Sequence, residues 1–106
     1  MSHALAAEEF ARARNPDRGK LLERNTRLVR VDNIDYGVRL HETDIVIIHR
    51  DGTYSLFSGG WKTRTTLNRL NKYSPATITQ RKGEWYAGVT PWNEGMRFTS
   101  DGRLLM

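Results

Sequence analysis

Four consecutive branched aliphatics, Ile45-Val46-Ile47-Ile48, followed closely by Arg50-Asp51-Gly52-Thr53, constrain this chain more than any other feature. β-branched side chains fit a pleated, buried surface. Asp-Gly accepts the positive φ angles of a tight hairpin turn. Asp44 to Arg50 is therefore a strand. Thr53 to Ser58, with Tyr54, Leu56 and Phe57, returns antiparallel beside it. His49 alternates with Ile47 and Ile45, which predicts one sheet face for all three.

Weaker signals of the same kind flank this hairpin. Thr26 to Val31 alternates as a strand, Asn33-Ile34-Asp35 reads as a turn, and Tyr36 to Leu40 is a further strand. Ala76 to Gln80 and Glu84 to Val89 form a hairpin around Arg81-Lys82-Gly83. Met96 to Ser100 and Arg103 to Met106 form another around Asp101-Gly102. A helix is predicted over about Arg64 to Tyr73, with Thr63 or Thr65 as N-cap and Leu67 and Leu70 as a narrow buried edge. Ser74-Pro75 stops it. Residues 3–14 form a short Ala-rich helix, broken by Asn15-Pro16-Asp17-Arg18-Gly19. The expected fold is α+β: a small twisted, mainly antiparallel sheet, one central helix packed on it, and a short N-terminal helix. Residues 1–23 read as a loosely attached helical arm and 24–106 as a single domain, since 106 residues leave room for one core.

Several function classes recede on composition. The chain has no cysteine, which removes disulfides, thiolate nucleophiles and cysteine zinc sites. No apolar run approaches the roughly 20 residues that cross a bilayer, so no membrane partner is expected. Ala4 to Ala7 is followed by Glu8 and Glu9, which does not match a signal peptide. His3, His41 and His49 lack metal-ligand spacing. His41-Glu42-Thr43-Asp44 reads as a capped turn. No catalytic residue, metal or cofactor is expected, and the reading is of a non-enzymatic binding module.

Charge gives that reading its direction. The chain carries 17 basic and 12 acidic residues, and Arg supplies 13 of the 17. Arg grips phosphate and carboxylate with a planar fork. Between Asp51 and Glu84 there is no acid, while Lys62, Arg64, Arg69, Lys72, Arg81 and Lys82 fall in that stretch. Regional basicity of this kind attracts polyanions. Within it, Ser58-Gly59-Gly60-Trp61-Lys62-Thr63-Arg64-Thr65-Thr66 leads into a helix start, where free N–H groups suit a phosphate. Arg64, Asn68 and Lys72 are spaced four apart on one helix face. They would lie along a nucleic-acid backbone with Asn68 or Asn71 near base edges, Arg69 on phosphate, and Trp61 stacked on a base. An ordinary strand-to-helix corner with a threonine N-cap explains the same residues. Trp85, and with it Trp61, is equally read as core, and Trp92 in its loop as the exposed indole.

His41-x-Thr43-Asp44-Ile45-Val46, then Asp51-Gly52-Thr53-x-x-Leu56-x-Ser58-Gly59-Gly60-Trp61-x-Thr63-x-Thr65-Thr66, then Arg69-x-Asn71, resembles small proteins of tailed bacteriophages, especially those infecting actinobacteria. Gly83-x-Trp85-Tyr86 and Gly95-Met96-Arg97 extend the resemblance, which covers about residues 25–100. It implies a phage accessory protein made in the host cytoplasm and carries no activity with it. The expected partner is nucleic acid, DNA ahead of RNA. The alternative is a host protein gripped through Trp92, Tyr36 or a sheet edge, as by an inhibitor, takeover or anti-defence factor. Pairing of exposed strand edges into a homodimer is a further expectation.

Overall fold

The computed structural model describes residues 1–105. Its elements run α1 (His3–Phe10), β1 (Lys20–Glu23), β2 (Thr26–Val31), β3 (Asp35–Leu40), β4 (Thr43–Ile48), β5 (Tyr54–Leu56), α2 (Arg64–Tyr73), β6 (Ile78–Arg81), β7 (Glu84–Ala87), β8 (Thr90–Pro91) and β9 (Met96–Phe98). The fold is α+β. Six strands pair antiparallel in the order β1-β2-β3-β4-β5-β9, and β6-β7-β8 form a second sheet. The Lys82-Gly83 turn joining β6 to β7 has φ of 51° and 81°, the left-handed pair that a two-residue hairpin needs.

Alternation fixes the core. Leu28, Val38, Val46, Leu56 and Met96 stand opposite one another across five strands, and Tyr36, Ile48, Tyr54 and Phe98 form the next row. All nine are buried. Covering them takes both helices and the second sheet. α2 contributes Leu70 and Tyr73, β6 contributes Ile78, and β7 contributes Trp85 and Ala87. Each large apolar side chain removed from water in this way is worth roughly 1.5–3 kcal/mol.

The helix predicted from Arg64 is the helix observed, capped by Thr63, whose hydroxyl accepts the Thr66 N–H at 3.1 Å. The N-terminal helix stops at Phe10 rather than Arg14. Beyond it the chain tightens, with the Arg12 and Ala13 N–H groups bonded three residues back to Glu9 and Phe10. Residues 1–23 are not loosely attached. Ala6 is fully buried, the rings of His3 and Phe10 lie 5.2 and 5.6 Å from that of Tyr36, and the Tyr54 hydroxyl donates to the Met1 carbonyl at 2.8 Å. β1, unanticipated in the sequence, adds a strand to the sheet before the domain was expected to begin.

One irregularity corrects the expected strand faces. Val38 pairs with Val46 but Arg39 pairs with Asp44, so Ile45 is an extra residue in β4. This bulge turns Ile45 inward beside Val46, away from the face that Ile47 and His49 share.

The packing of α1 is directly testable. Ala6→Arg is expected to lower unfolding stability by at least about 2 kcal/mol, because a long cation must enter a filled core. Ala4→Arg, at an exposed position of the same helix, is expected to be near neutral. Urea unfolding of the two variants checks this.

Candidate functional site: a groove beside Trp61

Two hairpin turns and the start of α2 enclose a groove of about 900 Å³. The β1–β2 turn supplies Arg24 and Asn25, and the β3–β4 turn supplies His41, Glu42 and Thr43. Leu40 and Ile45 give it an apolar floor. The opposite wall is Ser58, Trp61, Thr63 and the α2 residues Thr65, Thr66 and Arg69. The bulge that turns Ile45 inward thus helps to make this floor.

Trp61 stands at the groove with 69% of its surface exposed. Its loop is held from below. Glu94, in the segment before β9, accepts the Ser58 N–H at 2.7 Å, the Ser58 hydroxyl at 2.7 Å and the Gly59 N–H at 3.1 Å, and also the Trp92 indole N–H. Burial pushes the Glu94 carboxyl upward, but the hydrogen bonds from Ser58, Trp92 and Gly59 outweigh it and hold the group below its ordinary value. Gly59 has φ of 65°, and a β-carbon there would come within 2.6 Å of Thr43 on the facing turn. Glycine is needed on both counts. On the approach to the helix start that was expected to suit a phosphate, the Ser58 and Gly59 donors are therefore taken by an internal carboxylate, and the Thr66 N–H is taken by the Thr63 cap. What the corner presents outward is an indole.

One of the three indoles lies where expected and two do not. Trp85 is core, 2% exposed. Trp92 is half-buried, its ring 5.3 Å from that of Trp85 and nearly perpendicular to it. The exposed tryptophan is Trp61. Tyr36, the other anchor suggested for a host protein, is buried.

The cations of the middle third separate into groups. Arg69 and Lys72 converge on one carboxylate, Glu23 of β1, at 3.2 and 2.8 Å. The Arg69 Nε also donates to the Thr26 hydroxyl at 3.1 Å. Lys72, Tyr73 and Arg69 together draw the Glu23 carboxyl below its ordinary value, and burial followed by the Glu23 contact pushes the Tyr73 phenol up. Lys62 and Arg64 are exposed beside Trp61 and have no carboxylate partner among the described residues, and neither has Arg24. Arg81 and Lys82 lie on the β6–β7 hairpin and do not line the groove, with Arg81 stacked 4.3 Å over the Tyr86 ring. Asn68 is exposed on α2. The helix face turned to the groove is Thr65, Thr66 and Arg69, one position on from the row Arg64, Asn68 and Lys72.

A second polar cluster escaped the sequence reading. On the sheet face away from the core, His49 Nδ1 lies 3.0 Å from Asp35 Oδ2 and Nε2 lies 2.8 Å from Ser55 Oγ. Asp35 also accepts the Arg50 N–H at 3.2 Å. Acid, imidazole and hydroxyl follow the order of a serine-nucleophile triad. Ser55, however, sits mid-strand between Ile47 and Arg97, so the backbone donors around it serve the ladders rather than facing a developing oxyanion. The cluster links β3, the residue that follows β4, and β5. No group of three or more His, Cys, Asp or Glu among the described residues is placed to hold a metal.

Acidification tests the Glu94 lock. Its folded pKa is depressed, so its contribution to stability is present above the ordinary glutamate value of 4.5 and is lost as pH falls through the lower folded value. Tryptophan fluorescence is expected to report loosening of the loop below about pH 4.5 in the native chain. In Glu94→Gln the same fluorescence change should be missing from the acid range and present already at neutral pH.

Comparison with known proteins bears on the chain as a whole. No match was found among curated proteins or among solved structures. A family model described as Kyanoviridae Gp96 protein matches residues 7–102. That span takes in nearly all of the chain, including the sheet, α2 and the Trp61 groove, and reaches into α1, further toward the N-terminus than the resemblance read from the motifs. The chain belongs to the Kyanoviridae Gp96 protein family of tailed-bacteriophage proteins.

Proposed function

We propose that this phage protein is an accessory factor that binds nucleic acid at the Trp61 groove and performs no chemistry there. The observation that carries the reading is an exposed indole on a braced loop, with Arg24 lining the same groove and Lys62 and Arg64, which have no carboxylate partner among the described residues, one and three positions along the chain. Cations contribute the salt-sensitive, sequence-independent part of nucleic-acid affinity. The indole adds stacking, which tolerates any base. Trp61, Lys62 and Arg64 are the principal contacts in this reading. Arg69 adds to the groove wall with its charge shared with Glu23, Asn68 lies within reach of a bound strand, and Lys72, Arg81 and Lys82 act as outlying charge. Work in the host cytoplasm on phage or host DNA or RNA is consistent with such a role. Of the three anchors suggested for a host protein, Tyr36 is buried and Trp92 is packed on Trp85, which leaves the sheet edge to carry that alternative.

Fluorescence anisotropy with labelled oligonucleotides tests the reading. Binding is expected at about 50 mM salt. Its logarithm should fall linearly with the logarithm of salt concentration, by about 0.7 to 0.9 per phosphate neutralised. The double variant Lys62→Ala/Arg64→Ala should reduce that slope by about 1 to 2. Absence of binding at about 50 mM salt would falsify the proposal. A protein partner retained from nuclease-treated host lysate at high salt, with no nucleic-acid binding, would replace it by the host-protein role.

A further inference from the structure

We propose that the groove takes an unpaired nucleobase, so that the ligand is single-stranded nucleic acid rather than an intact duplex. This deepens the preceding reading and rests on it.

A duplex-reading helix needs an outward row of free cations to follow the backbone and a polar edge for the base pairs. α2 does not keep such a row. Of Arg64, Asn68 and Lys72, only Arg64 is a cation without a carboxylate partner, since Lys72 is held by Glu23. Arg69 is turned to the groove and held by the same carboxylate. Thr66, Leu70 and Tyr73 are buried, so one side of this 10-residue helix is committed to the protein.

The groove has the features that a single base requires. A base inside a duplex has both faces stacked and cannot present one to an indole. Trp61 offers such a face at 69% exposure, and the backbone of its loop is braced. The Trp61 N–H is bonded to the Ser58 carbonyl at 3.1 Å, Ser58 is clamped by Glu94, and Gly59 abuts Thr43. A loop backbone already fixed in place loses little freedom on binding. Behind it lie the apolar side chains of Leu40 and Ile45, both nearly fully buried and forming the floor. Asn25, Thr43 and Thr65 offer amide and hydroxyl groups to base edges or sugar, and Arg24 in the lining offers a cation to a phosphate, with Glu42 on the facing turn. Lys62 and Arg64 lie outside the lining, one and three residues along the chain from Trp61, where the strand leaving the seated base would meet them. At about 900 Å³ the groove has room for a single nucleotide.

The experiment compares three labelled ligands of one sequence, about 15 nucleotides long, at about 50 mM salt: single-stranded DNA, single-stranded RNA and the DNA duplex. Binding is read by anisotropy and by quenching of tryptophan fluorescence. The single strands are expected to bind at least about tenfold more tightly than the duplex and to quench Trp61. Trp61→Ala should weaken single-strand binding by about tenfold or more and leave the weak duplex binding unchanged, while Trp61→Phe should retain most of the single-strand affinity. Because Trp61 is exposed, both variants should keep the native circular dichroism spectrum. Equal or tighter duplex binding, or single-strand binding indifferent to Trp61→Ala, overturns the inference and leaves the groove as a general polyanion site. Binding of none of the three overturns the inference together with the reading beneath it. The two single strands separate DNA from RNA as the source of the base.

Discussion

A six-stranded antiparallel sheet with one apolar face must have that face covered, and this chain commits α1, α2 and the entire β6–β8 sheet to the task. Everything else follows from that one-sided burial. The loops that carry the chain over to the covering layer pass one end of the sheet, where the β1–β2 and β3–β4 turns also lie. The Trp61 groove occupies the seam between sheet end and covering layer. The uncovered face is left to polar pairs such as Arg39 with Asp44 at 2.7 Å and to the Asp35–His49–Ser55 chain. Antiparallel sheets tolerate this division, since one face can stay wet.

Two glutamates decide what the basic middle third presents to solvent. Glu23 reaches from β1 to Arg69 and Lys72, and Glu94 reaches from beyond β8 to Ser58 and Gly59. Each lies outside the acid-free stretch from 52 to 83 and is folded into contact with it. The first removes two cations from the open face of α2. The second fills the backbone donors of the Gly-Gly corner and fixes the Trp61 loop. The cations around α2 left without a carboxylate partner among the described residues, Lys62 and Arg64, sit at its N-terminal end rather than in a row along it.

How much of this was legible in the sequence depends on the range of the interaction. The Ile45–Ile48 strand, the Asp51-Gly52 turn and the limits of α2 rest on local chemistry within a few residues, and the structure contains all three as read. Thr63 as N-cap was one of two local options. The paired state of Arg69 and Lys72 was not legible, because their partner lies 46 and 49 positions earlier in a segment with no strand signal of its own. The same holds for Trp61 and Trp92. Both sit near glycines in polar stretches, and only tertiary packing buries one against Trp85 and exposes the other. The Asp35–His49–Ser55 chain assembles from three separate segments, and the only trace of it in the sequence was His49 alternating with Ile47. Fold class was legible because it depends on periodicity; the site depends on which distant carboxylate reaches which cation.

The bulge at Ile45 gives the groove a floor that a regular strand would lack. Side chains on a strand alternate between faces, and Val38 opposite Val46 with Arg39 opposite Asp44 keeps that alternation on both sides of the extra residue. A single-codon deletion of Ile45 would therefore leave the rest of β4 on its present faces and Thr43 still opposite Leu40, while removing one of the two aliphatic side chains that floor the groove. The insertion serves the site and is dispensable to the ladder.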